Sequence, residues 1–449
     1  MTAEALRMSV RGPVLTQADP GYEEARKVWN GNIDRHPALI ARCTGVADVI
    51  NAVNFARDNN LVIALRGGAH NAAGHATCDG GIVLDLSGMK GIRVDPVART
   101  AQAQPGLTWA EFDRETQAFG LATTGGTVSN TGIAGLTLGG GIGWLSGMHG
   151  LSCDNLLSAD VVTADGRFLH ASADENPDLF WALRGGGGNF GVVTSFEYRL
   201  HPVGPIVLGG LVLHPIDKAR ELLAFFREFS SELPDEAFSA FVMLSMPDGT
   251  PLAGYILCYS AALEEGERVF EKIRKFGSPV VDAVQPMPYE VRQGLIDDGV
   301  APHGWQRYWK SGFANEPSDA LLDRLAEAGK TRTSPMTALA IFPFHGAMIR
   351  VPSDATAFAI RRPGWDVNLI SQWLDPAESE KHIAWTREMW QSIEPHTSGG
   401  AYINHIAADD KPEKVRASYG ANYDRLAKIK AKYDPQNLFR LNANIRPAG

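Results

Sequence analysis

The sequence predicts an α+β protein of two domains. Three observations predict it. At 449 residues the chain exceeds what one hydrophobic core usually organises. Strand-like and helix-like segments follow one another without the strict alternation of a doubly wound parallel sheet. The texture also changes after His201-Pro202-Val203-Gly204-Pro205: glycine clusters are frequent before this break and thin out behind it.

Residues 40–205 read as one compact unit. Residues 46–59 carry apolar Val49, Ile50, Val53 and Phe55 over neighbouring turns, so a helix is predicted, stopped by Asp58-Asn59-Asn60. Strands are predicted over 61–65, 81–86 and 92–95, with 100–104 alternating less cleanly. A helix follows over 108–119, ended by Gly120, and strands over 158–163 and 192–199. Beyond the break, amphipathic helices are predicted over 218–231, 263–276, 318–328 and 378–392. Strands such as 253–259 and 337–342 lie between them, as an antiparallel sheet requires. A long helix over 411–432 and a turn at Tyr433-Asp434-Pro435-Gln436-Asn437 close the chain.

The bulk numbers exclude several classes of function. A net charge of −9 with no Lys/Arg run argues against nucleic acid and against anionic membrane surfaces as partners. Cys43, Cys78, Cys153 and Cys258 are scattered, with no CxxC, so neither a zinc site nor a disulfide framework is expected, and no metal is assigned. The N-terminus lacks an apolar leader and no apolar run is long enough to span a bilayer, which reads as a cytoplasmic enzyme.

Two glycine-dense loops carry the chemical signal. Leu65-Arg66-Gly67-Gly68-Ala69-His70-Asn71 follows an apolar run and offers bare amides with one imidazole. Gly132-Ile133-Ala134-Gly135-Leu136-Thr137-Leu138-Gly139-Gly140-Gly141-Ile142-Gly143 is the second. Together with Asn442-Ala443-Asn444-Ile445 near the C-terminus, they point to a long phosphate-bearing cofactor lying against backbone. The spacing does not fit a Rossmann fingerprint, which needs a following helix and an acidic residue about 20 positions on.

Arg66-Gly67-Gly68-Ala69-His70-Asn71, Gly81-Ile82-Val83-Leu84-Asp85-Leu86, Asp154-Asn155 and the Leu179-Phe180-Trp181 to Gly191-Val192-Val193 string resemble a known flavin-binding domain. It is that of the vanillyl-alcohol oxidase and p-cresol methylhydroxylase superfamily. Lys432-Tyr433-Asp434-Pro435 and Phe439-Arg440 in the tail narrow the resemblance to the berberine-bridge-enzyme-like oxidases, over about residues 30–447.

The resemblance implies the vanillyl-alcohol-oxidase-type architecture. An FAD-binding PCMH-type domain would comprise 1–205 and 401–449 (core 36–203), and an antiparallel-sheet substrate domain 206–400. It implies FAD joined by a single covalent bond through His70, for which a neutral imidazole nitrogen is a suitable nucleophile. Arg66 and the amides of Gly67, Gly68 and Ala69 would face the pyrophosphate. Further cofactor contacts would come from Asn71, Gly74, Thr127, Gly132, Gly135, Gly140 and Gly143. Asn155, Gly191, Val192, Val193, Asn404, Asn442 and Asn444 complete that set. Val128 stands where relatives carry a cysteine for a second flavin bond, and Cys153 reads as packing. Gly126 stands where a small residue leaves room for O2 beside the flavin.

In members that oxidise nicotine-like amines, the strand matching Ala338-Leu339-Ala340-Ile341-Phe342 presents a lysine and glutamates; here those positions are apolar. The family's Tyr-x-Asn-Tyr string reads Tyr402-Ile403-Asn404-His405, which makes His405 the candidate base, with Tyr402 and Tyr308 as further pocket phenols. The implied reaction removes a hydride from a C–H beside O–H or N–H of a small molecule (a secondary-metabolite alcohol, cyclic amine or sugar), with O2 reduced to H2O2. A dehydrogenase with another acceptor, a redox-neutral cyclase and a non-catalytic binding protein stay open, as does a homodimer.

Overall fold

The computed structural model describes residues 3–449 and is built on three main sheets. The first has four strands in the order Val14–Leu15, Leu39–Arg42, Ile82–Asp85, Ile63–Arg66. Its last three strands run parallel, with Ile63 and Leu39 both opposite Ile82, and the Val46–Asp58 helix covers the same core. Short apolar strands buried on both faces suit parallel pairing. The Ile63–Arg66 strand delivers the first glycine loop.

The second sheet is antiparallel, in the order Ile92–Asp95, Thr100–Ala103, Val192–Arg199, Leu156–Val162, Phe168–Ser172. Its core takes in Trp109 and Phe112 from the Trp109–Gln117 helix, Leu179 to Leu183 from Pro177–Leu183, and Leu426 and Ile429 from the C-terminal Tyr423–Tyr433 helix. The Trp109–Gln117 helix begins where the sequence signals it. The Thr108 hydroxyl accepts from the Glu111 amide, while the Glu111 carboxylate accepts from the Thr108 amide.

The third sheet has eight strands, all antiparallel: Val281–Asp282, Ile206–Pro215, Pro251–Tyr259, Ala237–Ser245, Ala338–Phe344, Gly364–Trp373 and Gln306–Ala314, with Gln285–Pro288 paired to Ile206–Pro215. One face carries Phe241, Met243, Leu339, Ile341 and Leu369 against the helices Ala219–Ser231, Asp319–Lys330 and Ser379–Ile393. The other face carries Val242, Ile256, Ala340, Phe342 and Ile370. Both faces are apolar, so these strands lack the alternation that marks a half-exposed sheet. Six of the eight were not individually predicted: the long Ile206–Pro215, Ala237–Ser245, Gln306–Ala314 and Gly364–Trp373, and the short Val281–Asp282 and Gln285–Pro288.

The long closing helix is a correction. The chain forms Pro412–Tyr419 and Tyr423–Tyr433, separated at Gly420, whose φ of 51° lies in the left-handed region. The Asn422 amide then donates to the carbonyls of Ser353, Thr356 and Ala357, anchoring the break. The tail returns to the second sheet's core. Lys430 and Asp434, both fully buried, pair at 2.5 Å, and Lys430 Nζ also donates to the carbonyls of Asn189 and Phe439. No described helix is long and apolar enough to cross a membrane.

Candidate active site

A cavity of about 820 Å3 lies between the glycine loops and the inner face of the eight-stranded sheet. Gly67, Gly68, Ala69, His70 and Asn71 line it from the first loop, and Thr127, Gly132 and Gly135 from the second. Gly191, Val192 and Val193 join them from the Val192–Arg199 strand and its approach, and Asn442 from the tail. The two loops meet backbone to backbone: a Cβ on Gly132 would stand 2.5 Å from the Gly68 nitrogen, and one on Gly68 2.5 Å from the Gly132 nitrogen. Ala69 has a φ of 55°, so the chain turns sharply just before His70.

The cavity wall fits a flavin dinucleotide. Among the described residues, the amides of Gly67, Gly68 and Ala69 donate to no group of the chain, leaving them for anionic oxygens. At Gly135 and Gly188 an added Cβ would meet nothing, so the missing side chains leave volume to a ligand. The Asn442 Nδ2 is held by Gly188 and Phe439 carbonyls while its buried Oδ1 has no partner in the chain. Among the described residues no Lys or Arg lines the cavity, which leaves the loop amides and neutral side chains such as Asn71 and Asn442 to meet a diphosphate.

His70 is held from three sides. Its Nε2 lies 3.0 Å from Asn130 Oδ1. The Asn130 Nδ2 donates to the Ala301 carbonyl, which fixes the amide so that Oδ1 must accept. The proton therefore sits on Nε2, and Nδ1 carries the lone pair. The ring stacks on Trp29 at 4.1 Å, and the Arg307 guanidinium lies 3.7 Å from the Trp29 ring. Burial, then the Arg307 charge, pull the His70 pKa down to about 3, so the imidazole is neutral at ordinary pH. Arg307 meets no carboxylate: it donates to the carbonyls of Trp29, Val300, Pro302 and Trp305 and to Gln372 Oε1.

His405 lies across the cavity. Its Nδ1 is 3.1 Å from Oδ2 of Asp366, a carboxylate with no solvent exposure. Asn368 Nδ2 donates to the same oxygen at 2.8 Å, and Trp309 Nε1 donates to Asn368 Oδ1 at 3.0 Å. The imidazole stacks on Trp309 at 4.5 Å and meets Tyr402 edge-on at 4.7 Å. Asp366 thus holds the proton on Nδ1 and leaves Nε2 as the acceptor, the arrangement of a general base with its orienting carboxylate. Tyr402 fits another role. Its hydroxyl oxygen accepts from the Gly141 amide at 2.8 Å and from Asn404 Nδ2 at 2.7 Å, and burial pushes its pKa up. Tyr402 and Asn404 line the cavity and lock the second glycine loop.

Several candidates lie off the cavity wall. Tyr308 points to the other face of its strand, where its hydroxyl donates to Asp409 at 2.6 Å; Trp309 takes the inward position. Arg66 alternates away from Leu65 and donates to the Ala25 carbonyl, so it does not face a diphosphate. Gly126 and Gly143 lie behind the wall, where a Cβ would meet Leu136 and the Gly125 carbonyl respectively. Gly140 packs under Phe358 and Tyr402, and Gly74 against Ile33. Asn155 Nδ2 donates to the carbonyls of His149 and Leu151, and the Asn444 Oδ1 is buried without a partner. Val128 lines the cavity, and Cys153 is buried with its thiol pKa pushed up by that burial. Trp29, Asn130, Arg307 and Asp366 were missed. Only Asp366 and Asn368 left a trace, as two polar residues at i and i+2 inside an apolar strand.

Comparison with known proteins agrees with this geometry. Residues 37–172 match the family model described as FAD binding domain, and residues 401–446 the model described as berberine and berberine like. An FAD-linked oxidoreductase of Dictyostelium discoideum is 35% identical over 448 residues, covering 98% of this chain and 95% of that protein. The (R)-6-hydroxynicotine oxidase of Paenarthrobacter nicotinovorans is 31% identical over 460 residues, covering 99% of each. The crystal structure of 6-hydroxy-D-nicotine oxidase from Arthrobacter nicotinovorans superposes with a TM-score of 0.91 at 31% identity, covering 98% of this chain and 99% of that one.

Proposed function

Because the chain belongs to the berberine-bridge-enzyme-like family of FAD-linked oxidoreductases, we propose that it is an oxidase for a small-molecule alcohol, with His405 as the base and O2 as the final acceptor. The carbinol carbon gives up a hydride, the hydroxyl gives up a proton, and a carbonyl forms while O2 becomes H2O2. Bound in the cavity, the flavin supplies the two-electron acceptor that links these half-reactions.

One observation carries the reading: an imidazole on the cavity wall whose far nitrogen is tied to a fully buried carboxylate. Asp366 fixes the His405 tautomer so that Nε2 receives the proton, and its charge stabilises the imidazolium that results. Trp309 and Tyr402 hold the ring in place, and their apolar surfaces exclude water that would compete for the proton.

The same reading makes His70 the residue that would anchor the flavin, through Nδ1, because Asn130 occupies Nε2. It also assigns 1–205 and 401–449, with a core over 36–203, to an FAD-binding domain and 206–400 to a substrate domain; the FAD-binding family model over 37–172 supports the core.

The test is anaerobic reduction of the purified yellow protein. His405→Phe lowers the rate of flavin bleaching by roughly 10²–10⁴-fold if the imidazole is the base; a change of only a few-fold removes it from the mechanism. In air, the oxidase forms one H2O2 per carbonyl. Sluggish reoxidation of the bleached protein makes it a dehydrogenase instead.

A further inference from the structure

We infer that the substrate is a largely apolar alcohol, its body laid along the inner face of the eight-stranded sheet and its hydroxyl at His405. This rests on the oxidase reading and narrows it from small molecules in general to one chemical class.

The register decides which side chains face the substrate. Across the sheet, Trp309 stands opposite Ile370, which stands opposite Ala338; one row on, Ala340 stands opposite Val242. These residues line the cavity, with Phe342 further along the same strand. These wall positions are aromatic or aliphatic over four adjacent strands. The wall continues past Leu244 to Met246 and Pro247, which are exposed at the mouth.

Most polar side chains on that face are bonded within the protein; Asp366 Oδ1, which is not, is buried behind His405 and off the cavity wall. Asn368 holds Asp366 and Trp309. The Gln372 side chain accepts from Arg307 and donates to the carbonyls of Gly299 and Met336. Ser311 Oγ donates to the His405 carbonyl at 3.0 Å. The Tyr402 hydroxyl serves the glycine loop. What the deep end presents is His405 Nε2.

A sugar would bring several hydroxyls to a wall that is mostly aliphatic or aromatic along the sheet, and each stranded hydroxyl weakens binding by roughly tenfold. A cationic amine would need a carboxylate on the wall. The carboxylate that lines the cavity, Asp298, is exposed at the rim. An apolar alcohol leaves nothing unpaired: its single hydroxyl meets the base and its body displaces water from apolar surface.

The experiment mixes the anaerobic flavin-bound protein with cinnamyl alcohol, 1-phenylethanol and geraniol, and separately with glucose, cellobiose and N-methylpyrrolidine. Both flavin bleaching and saturable perturbation of the oxidised flavin spectrum are followed. The apolar alcohols should bleach the flavin with an apparent second-order constant at least about 10²-fold above the sugars and the amine, two stranded hydroxyls at tenfold each. Faster bleaching by cellobiose or by the amine overturns the inference and leaves the oxidase reading standing. If nothing bleaches the flavin yet only the apolar alcohols perturb its spectrum saturably, the substrate class holds and the oxidase reading falls. No bleaching and no perturbation by the apolar set overturns the inference.

Ala340→Glu should weaken binding of the apolar set by at least tenfold, whereas Ala340→Val, which keeps the wall apolar, should change it by only a few-fold. Flavin content per chain is measured for both, so that a folding defect is recognised. Equal losses in two folded variants overturn the inference.

Discussion

Trp29 lies between an imidazole on one side and a guanidinium on the other, and this stack bears on whether His70 reacts. The Arg307 cation disfavours protonation of His70, and Asn130 directs the remaining proton to Nε2. His70→Ala should release flavin into the supernatant on acid precipitation, whereas the parent precipitate stays yellow. Asn130→Ala frees Nε2, so the fraction of chains carrying acid-stable flavin should fall several-fold while total flavin content changes less; an unchanged covalent fraction would deny Asn130 that role. Asp366→Asn keeps a hydrogen-bonding group beside His405 but removes the anion. Anaerobic reduction should slow by about 10–10²-fold while flavin content stays that of the parent. His70 and His405 were legible in the sequence because each sits in a motif. Trp29, Asn130, Arg307 and Asp366 come from distant segments and meet only through the tertiary fold. Tyr308 and Arg66 show the converse. Each sits one residue from a position that faces the cavity, and in a strand one residue is enough to reverse the face.

At the scale of elements, the glycine loops separate two uses of a missing side chain. Gly132 is glycine because backbone stands where its Cβ would go, 2.5 Å from the Gly68 nitrogen. Gly132→Ala should cost about 1–3 kcal/mol of stability by forcing the loops apart, visible as a lower Tm even without flavin. Gly135 is different: it lies within the Ile133–Gly139 helix, where an added Cβ meets nothing. Gly135→Ala should leave the flavin-free protein unchanged or more stable by about 0.5–1 kcal/mol, yet lower flavin uptake, because the methyl enters the cavity. A Gly135→Ala protein that binds flavin like the parent would show that the cofactor lies elsewhere. The loops could be found from composition alone, and the helices from their periodicity. The inner strands could not, since apolar contacts on both faces erase alternation. The split at Gly420 could not either, because the helical pattern runs on through it and the break is anchored by bonds from Asn422 to the distant residues 353–357.

At the scale of the molecule, several buried or half-buried histidines are held neutral. His149 and His201 stack at 3.8 Å with nearly parallel rings, and His201 Nε2 lies 2.7 Å from Asn155 Oδ1. His345 packs near Gly147 and Phe238 with neither ring nitrogen bonded. Burial pulls His149 and His345 each down to about 4, and lowers His201 as well. In the unfolded chain these groups titrate near about 6.5, so between that value and about 4 the unfolded state binds protons that the folded state refuses. Stability therefore rises with pH across this window and is lost as pH falls through it, before most carboxylates titrate. The Tm should decline from pH 7 to pH 5 by several degrees. His345→Leu removes one refused proton and two unbonded ring nitrogens without changing the charge at neutral pH. It should flatten the decline, raising the Tm at pH 5 relative to the parent by more than at pH 7.5. A parallel shift at both values would mean that His345 contributes packing alone, and the acid sensitivity would then belong to the other neutral histidines, His70, His75 and the stacked His149 and His201 among them.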